Sequence, residues 1–428
     1  MSERPSGSVR LDSLANINPE SLPASTPGGF SFFYIDISSV ATGVISPPDA
    51  RIERQDAPSR AQRVLRRNDV LMATVRPNLK AFAFFDLPGT NYVASTGFAV
   101  IRPKNGHDGR FILYSILSDT VGREVDSHSV GSNYPAINSS DVRRLSLPKF
   151  SPAEQRAIAD VISALDAQIE ATKALIAKQM LVSTGLMQDL FTRGIDENGQ
   201  LRPPHEEAPH LYCRAELGWL PRGWKVEAFG KRIEVIDPNP THRYPDEIEE
   251  GVPICSTENF IGTNGFDVSF AKHVSEATFI FQNNRCRYHP LDVIFARKGR
   301  IGLARRYGED RKVFSHTVVT MKPLNSTVSP PWVLWLARSR AFLSGIAREM
   351  NSNSGVPTLG IEFLKSILVP FPPEPEQSNM ATILDEASSA VTVLEDDLVK
   401  LSLQKSGLMQ DLLTGKVSAA PLLESAAA

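Results

Sequence analysis

The chain has 428 residues, 42% of them hydrophobic, which suits two to four domains with ordinary cores. Its net charge of −2 conceals an alternation: 17 basic against 14 acidic residues in 1–150, 5 against 9 in 151–212, 21 against 16 in 213–370, and 3 against 9 in 371–428. Cys213, Cys255 and Cys286 form no CxxC pair, MSERPSGSVR has no apolar h-region and no stretch reaches about 18 apolar residues, which argues against a disulfide framework, a cysteine metal site and a membrane span and predicts a soluble, cytoplasmic protein.

In chain order, residues 1–150 are dense in Pro, Gly and short apolar runs. FSFFYIDI and DVLMATV read as strands and RFILYSILSD as an amphipathic helix. Arg51 to Lys80 holds 8 basic against 3 acidic residues. From 151 to 193 the pattern changes. There is no Pro after Pro152 and one Gly, and Ile158, Val161, Ile162, Leu165, Ile169, Leu175, Ile176, Met180, Leu186 and Leu190 fall at helical spacing. One helix of that length spans roughly 60 Å and needs a partner stripe to be stable. Residues 194–212 are polar and Pro-rich and read as a linker. Residues 213–372 return to the mixed composition, with DVIFARKGRIGLARRY as a hairpin punctuated by Gly299 and Gly302 and WVLWLARSRAFLSGI as helix. Arg285 to Lys312 holds 9 basic against 3 acidic residues. A second long helix is predicted over 373–415, and an Ala-rich, flexible tail over 416–428.

The halves are copies. GLMQDL at Gly185–Leu190 recurs at Gly407–Leu412, 222 positions on. At that offset Glu154-Gln155 falls on Glu376-Gln377, Leu147-Pro148 on Val369-Pro370 and Tyr134-Pro135 on Val356-Pro357. Upstream, with small shifts, NDVLMATVRP lies near LDVIFARKGR, FAVIRP near VVTMKP and INPESL near IDPNPT. The fold class is therefore α+β. Two mixed α/β domains, 1–150 and 213–372, are separated by two long helices pairing as an antiparallel coiled coil, with a pseudo-two-fold internal repeat. Packing of each helix on its own domain alone is the alternative.

Paired basic runs at corresponding places point to a polyanion. Short catalytic motifs are missing. None of the Pro-Pro pairs (47–48, 203–204, 330–331, 372–373) has the Asn/Asp before and aromatic after that an adenine amino-methyltransferase would need. Pro245-Asp246 starts a nuclease-like pattern without its Lys, no GxxxxGK[ST] occurs, and His128, His273, His289 and His316 are scattered. The chain reads as a non-catalytic device: two basic modules on an acidic spacer, matched to two unlike half-sites on a duplex.

These features resemble the specificity (S) subunit of type I restriction–modification systems over nearly the whole length. The phrases that carry the resemblance are LPKFSPAEQRAIADVISALDAQI and LVPFPPEPEQSNMATIL, GLMQDLFTRGI and GLMQDLLTGKV, LGWLPRGWKV, DVIFARKGRIGLA and NDVLMATVRP. The resemblance implies that each globular part is a target-recognition domain for one half of a bipartite, asymmetric site in double-stranded DNA. It implies that the helices act as a ruler and dock two adenine methyltransferase subunits, through which restriction and translocase subunits join. No cofactor is expected in this chain; S-adenosylmethionine, ATP and Mg belong to partner subunits. The first half lacks the LGWLPRGW opening, so either the C-terminal end supplies those contacts or the entry differs.

Expected phosphate contacts are Arg63, Arg66, Arg67, Arg76 and Lys80 in the first domain, and Arg297, Lys298, Arg300, Arg305 and Arg306 in the second. Asn133, Tyr134, Asn351 and Asn353 are candidates for base reading, against a turn-forming role for the Asn residues. Gln155, Met187 and Asp189, with Gln377, Met409 and Asp411, are the expected docking face, against a coiled-coil core role for the methionines. Two rivals stay open: a coiled-coil adaptor with two protein-binding heads and no DNA role, and the recognition subunit of a related two-subunit restriction–methylation system.

Overall fold

The computed structural model describes residues 7–131, 135–241, 243–350 and 358–425. The chain divides into two units, Met1–Ala171 with Val399–Ala428, and Thr172–Leu398. The long helices are Pro152–Arg193 and Glu374–Leu413, so each begins in one unit and ends in the other. Among the described residues no helix is long and apolar enough to cross a membrane.

In the first unit an antiparallel sheet runs in the order Ala15–Ile17, Phe98–Pro103, Val70–Ala73, Phe82–Phe84. Val70–Ala73 is buried along its whole length, which explains its unbroken apolar run where an exposed face would alternate. A second sheet orders Ile52–Glu53, Ser31–Ile35, Tyr92–Ser95 and Ala61–Leu65. Helices Gly109–Leu117, Asp119–His128 and Ser139–Arg144 follow. Asp108 starts the first of these by accepting from the backbone N–H groups of Arg110 and Phe111, which would otherwise lack partners.

The second unit rebuilds this plan. Its antiparallel sheet orders Ile233–Ile236, Val318–Pro323, Val293–Ala296 and Ala304–Arg306, the last two forming the expected hairpin. Its helices Pro330–Arg338, Arg340–Met350 and Ile361–Ser366 repeat the three of the first unit. The stretch WVLWLARSRAFLSGI is thus two helices. They are divided at Ser339, whose backbone is extended, as Ser118 divides the first pair.

Helix pairing is antiparallel in both units. In the first, Ile158 and Ile162, near the start of the first long helix, pack in one cluster with Leu412 and Leu413 at the end of the second. Lys405 Nζ lies 2.5 Å from an Asp166 carboxylate oxygen along the same seam. In the second unit, Leu190 and Phe191, at the end of the first helix, share a core with Met380, Ala381 and Leu384 at the start of the second. Phe191 stacks on Trp332, ring centroids 4.5 Å apart. Each helix end therefore packs on a domain as well as on its partner helix.

Residues 194–212, expected as a linker, and the segment after 415, expected as a flexible tail, both carry contacts. Residues 194–212 are folded, because the start of the second long helix gives them a polar anchor. Glu376 accepts from Arg202 Nη1 at 2.5 Å, from the Ile195 N–H at 3.0 Å and from Trp224 Nε1 at 3.1 Å. Gly194, at φ +61°, closes the helix where a Cβ would run into Glu376 and Arg202. The segment after 415 is packed too: Ala419 is buried beside Phe111 and Tyr114, and Ala420–Ser425 is helical. Leu412, Leu413 and Ala419 supply contacts to this cluster of the first unit.

Candidate nucleic-acid interface

Each central strand of the main sheets ends in a basic turn held from both sides. In the first unit the Thr74 N–H donates to Gly97 O at 2.8 Å, the Ile137 N–H to Thr74 O at 2.9 Å, and the Arg76 N–H to Pro135 O at 2.7 Å. Arg76 (φ +50°) and Lys80 (φ +50°) both adopt the left-handed region around the tight turn Pro77–Leu79. That conformation costs a non-glycine residue roughly 1–2 kcal/mol. Arg76 is exposed and Leu79 is 63% exposed at the tip. Lys80 is half-buried, its Nζ 3.4 Å from Leu117 O.

In the second unit the same turn follows Val293–Ala296. The Lys298 N–H donates to Thr317 O at 3.2 Å, and the Leu359 N–H to Arg297 O at 3.0 Å. The bridge Lys298↔Thr358 matches Val75↔Ala136. Gly299, at φ +74°, stands where the first unit has Arg76. Arg300 is exposed, and Nη1 donates to Phe260 O at 2.8 Å and Thr257 O at 3.3 Å.

Of the other candidate arginines in the second run, Arg297 and Arg305 are buried and Arg306 is half-buried. Arg297 is 5% exposed, donating through Nη2 to Asp237 Oδ2 at 2.7 Å and through Nε to His316 O. Arg305 is 4% exposed, with Nη2 on Gly262 O at 2.6 Å and its guanidinium 5.4 Å from the Phe260 ring centre. Burial, with Arg300 nearby, pushes its pKa down to about 10. Arg306 Nη2 donates to both carboxylate oxygens of Asp385 at 2.8 and 2.9 Å, and Trp335 Nε1 reaches the same carboxylate at 2.8 Å. Arg338, which carried no sequence signal, joins this group. It donates to Thr263 O, Asn264 Oδ1 and Ala304 O, and burial and its arginine neighbours push it down to about 9. The group ties the hairpin Phe260–Phe266 to the long helix, where Thr263 also donates to Glu395 and Asn264 to Ser388.

Among the first unit's other candidates, Arg63 is half-buried with Nη1 3.3 Å from Ser21 Oγ. Arg66 is exposed and paired with Glu20 at 2.8 Å, and Arg67 is exposed and paired with Asp86. Asn133, Tyr134, Asn351 and Asn353 lie outside the described residues.

The expected docking face separates into different roles. Gln155 and Gln377 are fully buried. Gln155 Oε1 accepts from the Asp108 N–H at 3.3 Å and its Nε2 donates to Phe150 O; Gln377 Oε1 accepts from the Ser329 N–H at 3.1 Å and its Nε2 donates to Pro372 O. Asp108 and Ser329 are the caps of equivalent helices, so the shared Gln joins each long helix to its domain rather than facing outward. Met187 and Met409 pack half-buried at the edges of the two cores. Asp189 pairs with Arg193 at 3.4 Å, and Asp411 with Lys416 at 3.3 Å. Among the described residues no cluster of His, Cys, Asp and Glu is built to hold a metal ion.

The type I restriction modification DNA specificity domain matches residues 59–178. The chain is 22% identical over 343 residues to the MjaVIII type I restriction enzyme specificity subunit of Methanocaldococcus jannaschii, spanning 77% of this chain and 75% of that one. It is 22% identical over 351 residues to the EcoDI specificity subunit of Escherichia coli, 73% and 74% of the two chains. In fold it is similar to the S subunit of a type I system from M. genitalium, with TM-score 0.58, 17% identity and 95% and 96% coverage. It is also similar to a chain solved in work on complex assembly and conformational transition of the type I R-M system, with TM-score 0.54, 20% identity and 97% and 100% coverage.

Proposed function

We propose, for a chain that belongs with the DNA-specificity subunits of type I restriction–modification systems, that it reads a bipartite, asymmetric target, one half per globular part, and does no chemistry itself. Methylation falls to two adenine methyltransferase subunits docked on the long helices, and cleavage to restriction subunits that join through them. The observation that carries this reading is the pair of pinned basic turns, Arg76–Lys80 and Lys298–Arg300, at equivalent places in two otherwise diverged domains. Lys and Arg on such turns would neutralise phosphate, which fixes register without reading bases. Because the two domains have diverged in sequence, the half-sites differ as well.

Single-molecule methylation mapping of host DNA, with the gene intact and deleted, tests the reading. One split, asymmetric motif carrying N6-methyladenine on both strands is expected to vanish on deletion; a methylome that does not change would overturn it. Arg76→Ala is expected to weaken duplex binding at every sequence and to lower the salt slope of log K by about 1. An unchanged slope would remove Arg76 from the interface.

A further inference from the structure

One helix of the second unit has no counterpart in the first. In the first unit Ala61–Leu65 passes to Val70–Ala73 through Arg66–Asp69. In the second, Lys272–Val274 passes to Val293–Ala296 through the 11-residue helix Glu276–Cys286. Gln282 and Cys286 bury one side of it. The opposite side, Ala277, Ile280, Phe281, Asn284 and Arg285, is exposed throughout, and its spacing of 3, 1, 3 and 1 keeps it on one face. Ile280 is 51% exposed and Phe281 54%.

The helix is fixed to the supports of the basic turn Lys298–Arg300. That turn hangs on Thr317 O, which accepts from the Arg297 and Lys298 N–H groups at 3.0 and 3.2 Å. Just before it in the chain, the Phe314 peptide is held by Gln282 at 2.9 and 2.8 Å. On the other side Arg285 Nε donates to Asp237 O at 2.6 Å. Arg297 closes the frame, through Nη2 to Asp237 Oδ2 and through Nε to His316 O. Its burial therefore serves the mount rather than a phosphate: it ties together the two segments that hold the helix and the turn.

The chemistry of the exposed face matches base edges. Arg285 is tied through Nε, and its Nη groups have no partner among the described residues. The fork is thus held in place and left open, as bidentate contact with guanine O6 and N7 requires. Asn284 beside it carries the donor and acceptor that fit adenine N7 and N6, and Phe281 and Ile280 suit thymine methyl groups. An α-helix fits the major groove. The one acidic group of the helix, Glu276, stands at the far end from Arg285 and is paired with Arg311.

We propose that helix Glu276–Cys286 reads the bases of the half-site assigned to the second domain, with Phe281, Asn284 and Arg285 as the discriminating side chains. This rests on the reading above of a two-part target. It gives the second domain a device that the first lacks, and it separates phosphate contact on the turn from base reading on the helix.

Single-molecule methylation mapping is the test, in host cells that carry the full chain and its own methyltransferase subunit. The chain is left unsubstituted or carries Phe281→Ala, Asn284→Ala or Arg285→Lys. Each variant is expected to relax one or two base positions in one half of the motif by roughly tenfold, while the other half and the spacing between them hold. All three side chains are exposed, so the melting temperature is expected to hold as well. Arg285→Lys keeps the charge, so the salt slope of duplex binding should persist while the guanine preference falls. A motif left unchanged by all three variants would overturn the proposal and leave the two-part reading intact. Equal loss of methylation at every target, without relaxation, would make the face a phosphate or protein contact and overturn it too. An unsubstituted chain that marks no split motif would overturn the reading on which the proposal rests.

Discussion

The two units build the same main sheet and differ in the second one, and the difference shows where the duplication was free to change. In the first unit Tyr92–Ser95 has neighbours on both sides, Ser31–Ile35 running parallel and Ala61–Leu65 antiparallel. In the second, Val313–Phe314 is an edge strand beside Val252–Cys255, and Lys272–Val274 has taken the far side of that neighbour. The open edge is closed by one side chain. Gln282, 1% exposed on the helix Glu276–Cys286, accepts from the Phe314 N–H at 2.9 Å and donates to Phe314 O at 2.8 Å. A side-chain amide thus replaces a strand, which satisfies the buried peptide and leaves the outer face of the helix free to vary. The main sheet kept its strand order and the second sheet was rebuilt.

Four substitutions would break or sharpen this comparison. The largest effect is expected from Arg297→Ala, which leaves the Asp237 carboxylate buried without its guanidinium and should destabilise the second unit by about 3–5 kcal/mol. Differential scanning calorimetry should show the transition of that unit falling while the other stays; coincident shifts would mean that the units melt together. Next is Gln282→Ala, which strips both partners from the Phe314 peptide and should cost about 1–3 kcal/mol. Faster hydrogen exchange at the Phe314 amide, with none at Tyr92–Ser95, is the readout. The smallest effect is a pair of opposite sign. Arg76→Gly relieves a left-handed residue and should stabilise by up to about 1 kcal/mol, whereas Gly299→Ala creates one and should destabilise by about as much. Equal signs in denaturant titrations would show that the two turns are not equivalent.

Much of the architecture was legible because it is periodic. The long helices declare themselves by spacing, and the register of 222 carries Ser139–Arg144 onto Ile361–Ser366 and Pro152 onto Glu374. The site was less legible, because a charge run does not say which way its members face. Arg76 and Arg297 look alike in sequence. One ends exposed on a turn, and the other ends against an aspartate 60 residues earlier in the chain. Arg306 likewise meets Asp385, 79 residues away, and Glu376 gathers Ile195, Arg202 and Trp224 from a stretch that composition marks as linker. Such partners are fixed by the fold, and no local pattern announces them.

The placement of residues 399–428 in the first unit bears on the order in which the protein is made. The second unit is contiguous, 172–398, and every residue it needs has been synthesised before the chain continues beyond it. The first unit is begun before the second, yet Leu412, Leu413 and Ala419 reach its core cluster only after the second unit has been made. Until then Phe111, Tyr114, Ile158 and Ile162 lack Leu412, Leu413 and Ala419 as partners. The usual N-to-C order of domain completion is reversed. Of the two units, the one begun first is the last to close, and a product truncated before residue 412 lacks the side chains that complete its cluster.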